Sequence, residues 1–327
     1  VKKVAILATG GTISSAADSR TELINYKSGT FTGDEIINQI PELREIADVH
    51  IEQTTNFSSM EMTAKEWTIL REKALHYLNE LDFDGVVITH GTNTIEETAY
   101  FLHLTCNVSK PIVIVGSQRP LTGLSSDAHL NVYNAVKLAA SEDAVGKGVL
   151  VMMNDEINSA REVTKTNTVR LETFQSGQLG FLGYVDNDGV FFYRQPTRIH
   201  TAQSQFNELD TQELDPVEIV YSYAGADGNL IRCLIPTGVK GIVIAGTGTG
   251  RFSSKELEAL VEAKKQGIAV VRSSRVGNGR VIPEEQYEPY GFVSGDNLLP
   301  QKARILLMLA LKVTKDPVEI QRIFDTY

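Results

Sequence analysis

Hydrophobic residues fall along the chain in short solid runs, separated by longer stretches of helical period. Residues 4–7, 86–88, 112–115 and 149–153 are apolar runs of strand length. Runs without polar alternation suit strands buried on both faces. Between them, residues 64–81, 95–104 and 128–141 repeat apolar side chains at the spacing of a helix with one buried face. This alternation predicts an α/β domain with a parallel sheet and crossover helices. Over residues 181–194 the apolar positions instead alternate around Asp188-Gly189, which predicts a β-hairpin.

The pattern lapses over residues 195–216, a polar stretch without period that carries Pro196 and Pro216, and then resumes. Strand-like runs at 217–221, 242–245 and 269–271 and a helix over 301–311 form a second α/β alternation. A chain of 327 residues is also long for a single core. The expected architecture is two doubly wound α/β domains: a larger N-terminal one over 1–194, a linker over 195–216, and a smaller C-terminal one over 217–327. Residues 14–32 have no period and carry Tyr26; a long irregular stretch inside a domain predicts a lid or binding loop.

Two of the apolar runs open into turns of Gly and Thr. The first is Ala8-Thr9-Gly10-Gly11-Thr12, the second Thr89-His90-Gly91-Thr92-Asn93-Thr94. Open α/β sheets bind ligands at the carboxyl ends of their strands, so Thr12 and Thr92 are candidate hydroxyl nucleophiles. A threonine hydroxyl needs a base, and Lys165 in Val163-Thr164-Lys165-Thr166-Asn167 is a candidate. Burial would favour its neutral form, and an adjacent carboxylate would oppose it. Taken singly, each threonine also fits a helix cap, Lys165 a solvated lysine, Ser59 a turn residue, and His90 a hydrogen-bonded core residue.

Charge and motif content narrow the function classes. A net charge of −10 leaves no basic surplus for a nucleic acid or an anionic membrane surface. No apolar run approaches the ~20 residues that span a bilayer, and Val1 leads directly into a core strand, so no signal segment is expected in the chain. Cys106 and Cys233 lie far apart and no CxxC or HExxH spacing occurs, so neither a metal nor a required disulfide is expected. A GxSxG elbow is absent. Gly246-Thr247-Gly248-Thr249-Gly250 breaks the GxGxxG pattern at Arg251 and has no Walker lysine, so no nucleotide cofactor is expected.

The motifs together resemble those of bacterial type II L-asparaginases. They are Ala8-Thr9-Gly10-Gly11-Thr12-Ile13, His90-Gly91-Thr92 with Glu96-Glu97-Thr98-Ala99, Thr164-Lys165-Thr166-Asn167, Arg272-Ser273-Ser274-Arg275, and residues 297–304. The resemblance covers essentially the whole chain. It implies hydrolysis of the side-chain amide of L-asparagine to L-aspartate and ammonia, often with glutamine as a second substrate, and no cofactor or metal. It also implies a homotetramer with sites at subunit interfaces, periplasmic or secreted, with the cytoplasm left open. By position, Thr12 is the nucleophile and Tyr26 its lid partner, while Thr92 and Lys165 form an activating group. Ser59 would hold the substrate carboxylate and the backbone near Ser117 the amide. Glu285, or its neighbour Glu284, would reach an adjoining subunit's site to bind the substrate ammonium.

Three positions depart from the family pattern. Asn93 stands where an Asp usually pairs with the substrate's ammonium, Met60 where Gln is common, and Thr249 where Asn is common. A weaker grip on α-amino substrates and low glutaminase activity are the expected consequences. The alternatives are an amidase for other amides, or a slow substrate-binding variant.

Overall fold

In the computed structural model residues 1–327 are described, and they divide into two units, Val1–Leu209 and Asp210–Tyr327. The first unit is built on an eight-stranded sheet. Its strands are β1 (Lys2–Gly10), β2 (Ala47–Phe57), β3 (Gly85–Thr89), β4 (Ile112–Val115), β5 (Val149–Met153) and β6 (Glu156–Ser159). A separate two-stranded ribbon joins β7 (Thr164–Lys165) to β8 (Phe174–Gln175), and the hairpin β9 (Gly183–Asp186) and β10 (Gly189–Phe192) completes the large sheet.

The spatial order is β2-β1-β3-β4-β5-β6-β9-β10. The first five strands are parallel, and β3, β4 and β5 are buried along their whole length, as their solid apolar runs require. The chain leaves β1 for the edge strand β2, then crosses back over β1 to form β3. That reversal opens a crevice outside the carboxyl ends of β1 and β3, where doubly wound sheets hold their ligands. Both Gly/Thr turns sit at this point.

The sheet is mixed where periodicity predicted a parallel one. Asn154 and Asp155 have φ of 53° and 64°, the two left-handed residues of a type I′ turn, and they return β5 directly as antiparallel β6. Neither is Gly, so the turn signal in the sequence is weak. Strand β2 was also hidden: its apolar residues alternate with Asp48, His50 and Glu52 on a half-buried edge. The helix expected over 64–81 is α-helical over Ala64–Leu75 and continues as a π turn over His76–Glu80.

Residues 195–209 pack into the first unit. Phe206 is fully buried, and the Arg71 guanidinium donates to the carbonyls of Thr105, Asn207 and Leu209 at 2.9, 2.6 and 2.8 Å. The second unit holds four parallel strands in sequential order: β11 (Val217–Tyr221), β12 (Gly241–Gly246), β13 (Ala269–Ser274) and β14 (Val293–Ser294). Its helix Ser254–Lys265 begins with a reciprocal cap between Ser253 and Glu256.

Candidate active site

The two Gly/Thr turns touch through their backbones. Gly11 has a φ of 87°, and a Cβ placed on it would stand 2.3 Å from Gly91 Cα. A Cβ on Gly91 would stand 2.7 Å from Ser59 Oγ and 3.2 Å from Gly11 Cα. Glycine at both positions is therefore what lets the next residues, Thr12 and Thr92, sit on adjoining turns. Gly11→Ala adds overpacking of ~1–3 kcal/mol to a backbone penalty of ~1–3 kcal/mol in this positive-φ, extended conformation. Urea unfolding should show a loss of about 3 kcal/mol for this substitution, and an unchanged midpoint would contradict the close approach.

Neither threonine caps a helix. The short turn Thr12–Ser14 and the helix Ile95–Thr105 both lack a side-chain N-cap. Thr12 Oγ1 instead lies 2.8 Å from the Tyr26 hydroxyl, and either oxygen can donate. The loop that delivers Tyr26 is closed at its base by a bridge between Ala16 and Lys27, and Ser14 O accepts from both Thr30 N and Phe31 N. Its far side is tied by Leu121 N to Ser15 O, Ala17 N to Thr122 Oγ1, and Leu124 N to Arg20 O. The segment expected to be a lid is thus tied down at its base and far side and brings Tyr26 to Thr12.

Thr92 faces a different partner. Lys165 Nζ donates to Thr92 Oγ1 at 2.8 Å and to Asn93 Oδ1 at 3.4 Å. Lys165 is the last residue of β7, on a hairpin stiffened by Thr166 N to Thr173 O and by Asn167, whose Oδ1 accepts from Val169 N and Arg170 N. Burial, the largest influence, moves the Lys165 pKa below its ordinary value, and the Glu96 carboxylate partly opposes this. Glu96 sits in the first turn of the helix Ile95–Thr105 and accepts from Thr164 Oγ1 at 3.1 Å and Lys165 N at 3.4 Å. Asn93, Glu96 and Lys165, with residues 166–168, line an open cleft of about 410 Å³.

The remaining positions fall into two groups. Ser59 is buried against Gly91, with its carbonyl held by Thr94 Oγ1 at 2.7 Å. Ser117 is buried in a loop whose amides at Gln118 and Arg119 donate to the Asp127 carboxylate, and its own hydroxyl donates to Arg119 O. Met60, by contrast, is 67% exposed. Thr249 and Glu285 belong to the second unit, where both are exposed. There Glu284 is the tied carboxylate. It accepts from Arg272 Nη2 at 2.7 Å and Arg251 Nη2 at 2.9 Å. Burial alone would raise its pKa, but Gln286, Arg251 and Arg272 together hold it below the usual carboxylate value. Sequence reasoning assigned no role to Glu96, Asp127 or the Arg251–Arg272 pair; Glu96 and Arg272 stood inside quoted motifs and Arg251 beside a glycine run, whereas Asp127 carries no local signal.

Comparison with known proteins finds similarity along the whole chain. Residues 3–198 match the family described as Asparaginase, N-terminal, and residues 216–324 match the Glutaminase/Asparaginase C-terminal domain. L-asparaginase 2 of Bacillus subtilis (strain 168) is 45% identical over 324 residues, covering 99% of this chain and 86% of that protein. L-asparaginase 2 of Escherichia coli (strain K12) is 45% identical over 326 residues, covering 99% and 93%. The crystal structure of a probable cytoplasmic L-asparaginase from Campylobacter jejuni superposes with a TM-score of 0.97 at 43% identity, covering all of both chains.

Proposed function

The chain belongs to the asparaginase family of hydrolases, and on that premise we propose that it hydrolyses the side-chain amide of L-asparagine with Thr12 as nucleophile. The observation that carries this reading is the 2.8 Å contact from Lys165 to Thr92, beside the Thr12–Tyr26 pair at the reversal of strand order. Thr12 Oγ attacks the amide carbon, and its proton passes through Thr92 to Lys165, whose neutral form turns its lone pair to Thr92 Oγ1 in place of the N–H that the charged form donates. Backbone amides at the glycine turns stabilise the oxyanion, a contribution of ~3 kcal/mol per donor. The intermediate collapses, the proton moves to the departing nitrogen, and ammonia leaves a β-aspartyl ester on Thr12. Water attacks the ester with the same Thr92–Lys165 pair as base, releasing aspartate and restoring the hydroxyl. Tyr26 holds the nucleophile and closes the site to solvent.

On this reading Ser59 takes the substrate carboxylate, the backbone near Ser117 meets the amide, and Met60 and Thr249 supply fewer polar contacts than amide side chains would. Glu285, or its neighbour Glu284, takes the substrate ammonium; Glu284 already pairs with Arg251 and Arg272, which leaves exposed Glu285 as the carboxylate with charge to offer. The assembly is a homotetramer, periplasmic or secreted; the cytoplasmic relative makes the cytoplasm the alternative. Light scattering behind size exclusion tests the tetramer.

Ammonia release from L-asparagine and L-glutamine, measured side by side near neutral pH, tests the substrate. Saturable release from asparagine is expected, with kcat/KM for glutamine lower by about tenfold or more, the cost of losing a polar contact or two. Comparable values for the two amides would overturn the asparagine preference, and no release from asparagine would overturn the assignment. A second reading, an amidase for substrates without an α-ammonium, is favoured by one observation: position 93 offers an amide oxygen to the site where a carboxylate would hold that charge.

A further inference from the structure

His90 stands directly before the Gly91-Thr92 turn and is fully buried. Its Nδ1 lies 2.8 Å from Gly91 O, its Nε2 lies 2.9 Å from Thr98 Oγ1, and Trp67 Nε1 donates to that same hydroxyl at 2.9 Å. These contacts fix every proton in the chain. A carbonyl only accepts, so Nδ1 carries the hydrogen; the Thr98 hydroxyl already accepts from the indole and so donates its one proton to Nε2. The order is Trp67 to Thr98 to His90 to Gly91 O, with no link left unsatisfied. Burial pushes the His90 pKa down to about 4, which keeps the ring in this neutral form at neutral pH.

We infer that His90 is a positioning residue for the reaction proposed above: its Nδ1–H pins the Gly91–Thr92 peptide so that the Thr92 hydroxyl faces Lys165. Because the peptide is planar and trans, fixing Gly91 O also fixes the direction of the Thr92 N–H and the Cα that carries the hydroxyl. His90 N donates to Val115 O at 2.8 Å, which anchors the other side of the ring's own backbone to β4. Through Thr98 and Trp67 the turn is tied to the helices Ile95–Thr105 and Ala64–Leu75. Trp67 is itself stacked on Phe101 at 5.3 Å, so the far end of the chain is rigid. His90 makes no contact with substrate in this scheme. It acts through Thr92, and the inference rests on the Thr92–Lys165 pair being the activating group.

Two substitutions separate this role from packing. His90→Asn places an amide N–H where Nδ1 stood and keeps the donor to Gly91 O, but leaves the larger void. His90→Gln fills more of the space and reaches toward Thr98, but leaves Gly91 O without its donor. Expected is a kcat within about threefold of the unaltered protein for His90→Asn and a fall of about tenfold or more for His90→Gln, with KM for asparagine little changed in both. Thermal stability should run the other way, with His90→Asn melting lower. Activity that follows stability, or an equal loss in both variants while the unaltered protein turns over, overturns the role of His90 alone. Absence of ammonia from the unaltered protein overturns the functional reading and this inference with it. The histidine 15N spectrum of the unaltered protein gives a check that needs no variant: the neutral Nδ1–H tautomer is expected, and an Nε2–H tautomer would overturn the inference.

Discussion

Lys165→Met should lower kcat for L-asparagine by about a thousandfold while KM stays within a few-fold. Methionine keeps the length and much of the packing of the lysine stem and removes only Nζ, the atom 2.8 Å from Thr92 Oγ1. A positioned general base contributes ~10²–10⁴-fold, and its loss is felt in the transition state rather than in substrate binding. Thr12→Val should cost at least as much, because it removes the attacking oxygen while its partner Tyr26 stays in place. Steady-state ammonia release decides both. A large rise in KM at constant kcat for Lys165→Met would place the lysine among the binding groups and contradict its role as base.

Asn93→Asp is expected to lower KM for L-asparagine by about tenfold. A hydrogen bond to a charged group contributes ~1.5–3 kcal/mol against ~1 kcal/mol for a neutral one, and the difference is close to one decade in affinity. The same substitution acts on Lys165 through the 3.4 Å contact at position 93. If neutral Lys165 is the base, kcat rises with pH through the lysine pKa. Burial moves that limb to lower pH and Glu96 moves it part of the way back. A second carboxylate stabilises the charged lysine further, so the limb shifts to higher pH and kcat at neutral pH falls even as KM improves. On this reading Asn93 gives up grip on the ammonium and leaves the lysine easier to deprotonate than an aspartate there would. An unchanged KM in Asn93→Asp would remove position 93 from ammonium recognition, and an unchanged pH limb would separate it from Lys165.

Much of this site is legible in the amino-acid sequence because its chemistry is carried by short local signals. Solid apolar runs mark β1, β3, β4 and β5, and each glycine turn advertises the threonine that follows it. The parts that escaped are those fixed by distant partners. Strand β2 breaks up the apolar run because it is an edge strand with polar residues alternating along it, and the β5–β6 return uses Asn154 and Asp155 where a glycine would have signalled the turn. Glu96 looks like an ordinary first-turn acid until the Thr164 hydroxyl and the Lys165 N–H are brought against it, 68 and 69 residues further along. Glu284 and Glu285 are indistinguishable as neighbours in sequence; only the arginines at 251 and 272 separate the paired first from the exposed second. His90 was readable as a buried, hydrogen-bonded histidine, but not the direction of its bonds, which depends on Trp67 and Thr98 from two other helices.

The most direct test of Thr12 as nucleophile is rapid acid quenching of the protein during turnover of L-asparagine, followed by mass analysis of the digested chain. A β-aspartyl ester on the peptide that contains Thr12, absent in Thr12→Val, is the expected result. An ester on Thr92, or steady ammonia release with no ester on either threonine, would contradict it.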